Sequence, residues 1–160
     1  MSVFYLESSA LFKRYRTEKG TDVVNTIFAG RTQADIFVTS RLTTLEMESA
    51  AARGLKSRTI TRQAHGAMVR AFADDLGNIV VLPLNGRIIS EGEQAARKYS
   101  LRALDALHFS TALLVRQTSP AGTVLVTADH EVADAGRTAG FHVLNPEDQN
   151  AMQELARFLG

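Results

Sequence analysis

Apolar residues fall along this chain in two kinds of run. Short continuous runs rich in β-favouring residues occur at 3–6, 36–38, 79–82, 124–126 and 141–144, as expected of strands buried on both faces. Between them, apolar positions recur at helical spacing. The pattern predicts helices over 10–15, from Thr21 or Asp22 to Gly30, over 43–53 with Gly54 as the stop, and over 59–76 closed by Gly77. The 59–76 segment carries one apolar stripe of Ile60, Ala64, Ala67, Met68, Ala71, Phe72 and Leu76. Ser90-Glu91-Gly92-Glu93 has capping-box spacing and predicts a helix to about Lys98. Further helices are expected over 101–115 and 129–139, with a last amphipathic one carrying Ala151, Met152, Leu155, Phe158 and Leu159. Pro83 and Pro146 end the third and fifth strands, and Pro120 with Gly122 marks a turn. Strands alternating with helices imply a parallel sheet covered on both sides, one α/β domain.

Composition narrows the class. The 160 residues are 45% hydrophobic, enough for a sizeable core. Lys and Arg total 18 against 17 Asp and Glu, a net charge of +1. Nucleic-acid binding would therefore rest on local basic clusters. Candidates are Arg41, Arg53, Lys56, Arg58 and Arg62, and separately Lys13, Arg14 and Arg16; the plain alternative for each is a solvated face. Cysteine is absent, which removes disulfides, thiol chemistry and Cys-ligated zinc. No apolar run approaches the roughly 20 residues of a membrane span, and the N-terminus enters a strand at once. The expectation is a soluble cytoplasmic protein without membrane contact.

Four acids then change the picture. Glu7 follows the buried strand Val3-Phe4-Tyr5-Leu6 at a turn into a helix, and such a turn lies at the carboxyl edge of a sheet, where open parallel sheets bind ligands. Its plain alternative is a loop acid beside a helix capped by Ser8 or Ser9. Asp129 repeats that logic after Val124-Leu125-Val126-Thr127-Ala128, with an N-cap as its alternative. Glu46 lies on a helix face with Leu42, Ala50 and Arg53, or reaches back in a capping box from Thr43; Glu48 points elsewhere and is expected in solvent. Asp105 sits in the nearly all-apolar segment 101–114, where a charge needs a partner or a metal. Its alternative is a first-turn position favoured by the helix dipole. His108, one turn on, reads as a hydrogen-bonded core histidine.

Taken together, these residues resemble the PIN-domain ribonucleases, and among them the VapC-type toxins of bacterial toxin–antitoxin pairs. Tyr5-Leu6-Glu7-Ser8-Ser9-Ala10 is similar to the family's opening strand and acid. The stretch from Thr39 to Glu46, with Ser49, Ala50 and Arg53 beyond, is similar to its hydroxyl-rich approach to a helical glutamate. Leu101 to His108 resembles its Leu-Arg-Ala-x-Asp-Ala-x-His stretch, the most specific of these signals. Thr127-Ala128-Asp129, followed by Gly140-Phe141 and Leu144-Asn145-Pro146, resembles its C-terminal part.

The resemblance implies a three-layer PIN-like fold: a central five-stranded parallel sheet ordered 3-2-1-4-5, with helices on both faces. It implies a nuclease domain over 1–146, with 147–160 a C-terminal helix packed on it. It also implies a Mg²⁺- or Mn²⁺-dependent ribonuclease with Glu7, Glu46, Asp105 and Asp129 catalytic. Of these, Glu7, Asp105 and Asp129 would be metal ligands, direct or through water. Ser9, Thr127 and Arg53 would support the carboxylates or the substrate. The implied partners are RNA, a cognate antitoxin protein and a second copy in a homodimer. The family's first acid is typically Asp. Here Glu7 stands in its place, and the extra methylene moves the carboxylate outward by roughly a bond length.

Two other readings compete. A catalytically weakened relative would keep this fold and bind RNA or a protein without cleavage, which Glu7 favours. A phosphoacceptor receiver domain would need an Asp ending the third strand and a Lys ending the fifth. Leu82-Pro83-Leu84-Asn85 and Leu144-Asn145-Pro146 supply neither.

Overall fold

The structure is a computed structural model describing residues 1–119 and 122–159, so the predicted turn residue Pro120 lies outside the described residues. Five strands, β1 (Val3–Leu6), β2 (Ile36–Ser40), β3 (Val80–Leu82), β4 (Thr123–Val126) and β5 (His142–Leu144), form one sheet ordered β3-β2-β1-β4-β5. Every neighbouring pair is parallel. Tyr5 is level with Val38 on one side and with Leu125 on the other.

The two-residue period of β1 explains why its run is apolar throughout. Phe4 and Leu6 enter one core with Phe37, Ile27, Met47, Phe72, Leu144 and Leu155. Val3 and Tyr5 enter the other with Phe109, Leu125, Val132 and Phe141. Each fully buried Phe or Leu contributes roughly 1.5–3 kcal/mol, so a central strand with two buried faces anchors both layers.

The first layer holds α1 (Ser8–Leu11), a 3₁₀ turn over Phe12–Arg14, α2 (Thr21–Ala29), α3 (Arg41–Lys56), α4 (Arg62–Leu76) and α8 (Ala151–Leu155). The second holds α5 (Gly86–Tyr99), α6 (Ala103–Thr118) and α7 (His130–Thr138). No helix among the described residues is long and apolar enough to cross a membrane.

Several helix boundaries differ from the sequence expectation, each for a local reason. The Ser90 capping box does not open α5. Asn85 caps it a turn earlier, accepting from Ile88 N–H at 3.0 Å, which drives Ile88 into the core. Gly54 does not stop α3, which runs on to Lys56. A side chain at 54 would meet Ile60 Cδ1 at 3.1 Å, so this glycine makes room for the returning chain. Thr61 rather than Thr59 caps α4, accepting from Ala64 N–H at 3.1 Å. Of the predicted α4 stripe only Phe72 is buried, while Met68 and Leu76 pack from the margin and Ala64, Ala67 and Ala71 are exposed. Helix α6 starts at Ala103 instead of Leu101, so Asp105 does lie in the first turn. The last helix stops at Leu155.

Gly20, at φ 87°, lies against Pro146, whose carbonyl oxygen would be 2.7 Å from an added Cβ. That contact, with the buried Lys13 ammonium bonded to Glu147 at 2.5 Å, ties the loop after β5 to the start of α2. Lys13 and Arg14 are therefore not free for nucleic acid, since Arg14 pairs with Asp75 at 2.5 Å.

Candidate active site

The chain winds outward from β1 through β2 to β3, then crosses to β4 on the other side of β1. The turns after β1 and β4 consequently lie side by side at the carboxyl edge, where the winding reverses. Glu7 leaves the first turn and Asp129 the second.

A hydroxyl relay fastens the two turns together. Glu7 is buried, and it is the N-cap of α1: Oε2 accepts from Ser9 N–H at 3.0 Å. The same oxygen accepts from the Ser9 hydroxyl and from Thr127 Oγ1 at 3.0 Å, and Oε1 accepts from Ser8 Oγ at 2.6 Å. Ser9 Oγ in turn accepts from the N–H groups of Ala128 and Asp129 at 2.9 and 3.1 Å. The longer Glu thus reaches from its own helix cap to the hydroxyl on β4's turn. Ser9 and Thr127 both donate to the Glu7 carboxylate. Ser8, read only as a cap alternative, joins them, and the Glu-Ser-Ser run was the available signal for it.

Asp129 caps α7, with Oδ1 accepting from Val132 N–H at 2.9 Å. Its N-cap alternative is therefore real, and it spends one of the two oxygens. Asp105 is half-buried in the first turn of α6. Burial, then the charges of Asp129 and Glu7, push its carboxyl up to about 6, against a smaller opposing pull from His108. Three acids from three elements therefore share one electrostatic site.

Glu46 joins through a histidine. It does not reach back to its helix start, because Ser40 caps α3, accepting from Leu42 N–H at 3.2 Å. Glu46 Oε2 instead accepts from His108 Nε2 at 2.7 Å. His108 is buried, as read from sequence, with Nδ1 3.0 Å from the Tyr5 hydroxyl and Nε2 3.9 Å from Glu7 Oε1. Burial opposes the charge on Glu46, but the hydrogen bond and charge of His108 outweigh it and hold the carboxyl below its usual range. Burial likewise opposes a charged His108, but the Glu46 hydrogen bond and the surrounding carboxylates raise its pKa. Glu48 is exposed. Arg53 is exposed too and donates to Ser49 Oγ at 2.5 Å.

Among the described residues, no three His, Asp or Glu side chains form a ready cage for an ion. The donor chemistry nevertheless fits a hard divalent cation. The acids offer oxygen donors, and like charges crowd on Asp105. Mg²⁺ is commonly held by one or two carboxylates while keeping several waters, so a closed cage is not required.

Comparisons with known proteins find one family model, curated relatives and solved structures of similar fold. Residues 4–138 match the family model of the PIN domain. Ribonuclease VapC45 and Ribonuclease VapC49 of Mycobacterium tuberculosis are each 25% identical over 143 residues, covering 89% of this chain and 95% of the relative. VapBC-1 from nontypeable Haemophilus influenzae superposes over 91% of this chain and 99% of its own, with a TM-score of 0.62 and 15% identity. PAE2754 from Pyrobaculum aerophilum superposes over 98% of this chain and 96% of its own, at 0.59 and 20%. A toxin–antitoxin complex from Klebsiella pneumoniae matches at 0.59 and 14%, over 91% and 98%.

Proposed function

This chain belongs to the PIN-domain family, and from that membership we propose that it is a metal-dependent ribonuclease, the toxin of a toxin–antitoxin pair. The observation that carries the proposal is the convergence of Glu7, Asp105 and Asp129 at the switch point, felt as the raised carboxyl of Asp105. The full-length similarity to two ribonucleases supports the substrate class.

Asp105 and Asp129 would hold Mg²⁺ or Mn²⁺, with Glu7 a third ligand or a partner through water. Such a cation lowers the pKa of an attached water and offsets charge on a phosphodiester. The protein's own groups do the rest. Glu46, kept ionised by His108, has Oε1 left to accept a proton from an attacking water. Asp105, its carboxyl pushed up to about 6, is mostly ionised near neutral pH and offers that charge to a cation. Ser9 and Thr127 hold the Glu7 carboxylate still. Arg41, Arg53, Lys56, Arg58 and Arg62 are all exposed on α3 and the approach to α4, and suit the phosphates of a single strand.

The same acidic pocket suits an inserted arginine from a cognate antitoxin, whose guanidinium can pair carboxylates bidentately. The partly exposed apolar side chains of Ile36 and Val80 support a homodimer, read in solution as twice the 17.4 kDa chain mass. A cytoplasmic setting, and a nuclease unit over 1–146 with 147–160 packed on it, belong to the same reading.

Single-stranded RNA incubated with the purified protein should be cut with Mg²⁺ or Mn²⁺ and remain whole in EDTA. The second reading, binding of RNA or a partner without cleavage, is favoured by one observation: internal donors already bond both oxygens of Glu7. RNA binding by a wild type inert with every divalent cation would select it.

Saturating Mg²⁺ or Mn²⁺ should also raise the melting temperature. At 100 times Kd the linkage is about 2.7 kcal/mol. For a domain of this size that corresponds to roughly 5–10 °C. A midpoint indifferent to metal would remove the cation from the proposal.

A further inference from the structure

His108 touches Glu46 and lies 3.9 Å from Glu7 Oε1, and the ribonuclease reading as stated uses it only to keep Glu46 ionised. Its position one turn beyond Asp105 on α6 places the ring between Tyr5 of β1, Ser8 of α1 and Glu46 of α3. Resting on the ribonuclease reading, we propose that His108 is a positioning residue for Glu46, with its ring orientation set by the hydroxyl of Tyr5.

The hydrogen bonds leave little freedom. A carboxylate only accepts, so Nε2 must carry the hydrogen that goes to Glu46 Oε2 at 2.7 Å. In the neutral ring Nδ1 then accepts from the Tyr5 hydroxyl at 3.0 Å. In the charged ring Nδ1–H donates to that same oxygen. Either way Tyr5 holds one end of the imidazole and Glu46 takes the other. The Ser8 hydroxyl, 3.4 Å from Nε2, is already committed to Glu7 at 2.6 Å and competes weakly.

Glu46 needs such a partner. It is half-buried on a helix whose cap bonds are made by Ser40, and a free glutamate there would exchange among several rotamers. His108 holds Oε2 and leaves Oε1 for the site. A core role alone does not account for the choice of residue. The ring lies among polar groups of Tyr5, Ser8, Glu46 and Glu7, and burying imidazole, phenol and carboxylate together is favourable only when each is paired. The three form a fully paired set: no buried side-chain nitrogen or oxygen among the described residues lacks a partner.

The test is a cycle of variants assayed on single-stranded RNA with Mg²⁺: His108→Leu, His108→Gln, Tyr5→Phe, Glu46→Gln and the double variant His108→Leu with Glu46→Gln. Loss of a residue that orients a functional carboxylate typically costs about 10–100-fold. That loss is expected in kcat for His108→Leu, with KM little changed. His108→Gln should recover part of it, because the amide can donate where Nε2 did. Tyr5→Phe should lose less, in the same direction. The double variant should be no slower than Glu46→Gln alone, since His108 acts only through Glu46. Multiplying losses in the double variant, or a change confined to KM, would overturn the proposal. If His108→Leu does not fold, Tyr5→Phe combined with Glu46→Gln makes the same comparison.

A second readout is independent of cleavage. The imidazole N–H proton of His108 should resonate far downfield in the wild type and move upfield in Glu46→Gln. A resonance indifferent to Glu46→Gln overturns the positioning contact in an active enzyme. A wild type that cuts no RNA while showing the expected resonance instead rejects the ribonuclease reading, and the reaction role of His108 with it.

Discussion

Asp105→Asn should abolish RNA cleavage and, in the metal-free protein at neutral pH, raise the melting temperature. The two effects have one cause. Asp105 lies beside Asp129 and Glu7, and its carboxyl is pushed up to about 6 because ionising it adds a third negative charge to a partly buried site. Removing the charge takes away a cation donor and the repulsion together. Loss of several kcal/mol of charge stabilisation corresponds to roughly a hundred- to a thousandfold in rate.

The stability effect has a definite pH window. The folded protein binds the Asp105 proton more tightly than the unfolded chain, whose Asp titrates at 3.8. That contribution to stability is fully present below about pH 4 and is lost as pH rises through about 6. The asparagine variant never ionises, so its advantage over wild type should be complete above pH 7 and vanish near pH 4. Solvent screens a half-buried group, so about 1 kcal/mol, or roughly 2–4 °C, is the expected size. Calorimetric melts at pH 4, 5.5 and 7.5 in EDTA would measure it. An advantage that persists at pH 4, or cleavage at the wild-type rate, would sink the assignment of Asp105.

Substitutions at Glu7 should separate charge from architecture. In Glu7→Gln the carbonyl oxygen can keep the Oε2 place, where Ser9 N–H, Ser9 Oγ and Thr127 Oγ1 all donate. The amide then faces Ser8, whose hydroxyl can turn to accept. This variant should melt close to wild type yet lose metal-dependent cleavage. Glu7→Asp should do the reverse. Its carboxylate withdraws by about a bond length, roughly 1.5 Å. It can no longer satisfy Ser9 and Thr127 together, at a cost of about 1–3 kcal/mol. It keeps the negative charge, so cleavage should survive with a modest loss or a gain. Side-by-side melts and RNA digests decide the matter. An active Glu7→Gln would reduce Glu7 to a structural carboxylate. An inert wild type beside an active Glu7→Asp would select the binding-module reading.

Sheet and layers were legible because the pattern that encodes them is local and repeated. Five short apolar runs separated by helical periodicity require a parallel sheet with two covered faces, and the buried β1, with Phe4 and Leu6 on one side and Val3 and Tyr5 on the other, meets that requirement directly. The resemblance supplied the strand order that the pairings show. Helix ends were less legible. Asn85, Ser40 and Thr61 compete as caps with residues a turn away, and which one wins depends on where Ile88, Leu42 and Ile60 must pack.

The amino-acid order alone determined that Glu7 and Asp129 leave strands at the carboxyl edge, because a strand's end and the following turn are properties of a few adjacent residues. Only the tertiary structure decided what those acids touch. Ser9 and Thr127 are 118 residues apart, and Glu46 and His108 are 62 apart. No local pattern encodes either meeting. They occur because β4 returns beside β1 and because α3 and α6, from opposite faces, meet through Glu46 and His108, and burial then obliges every polar group brought there to find a partner.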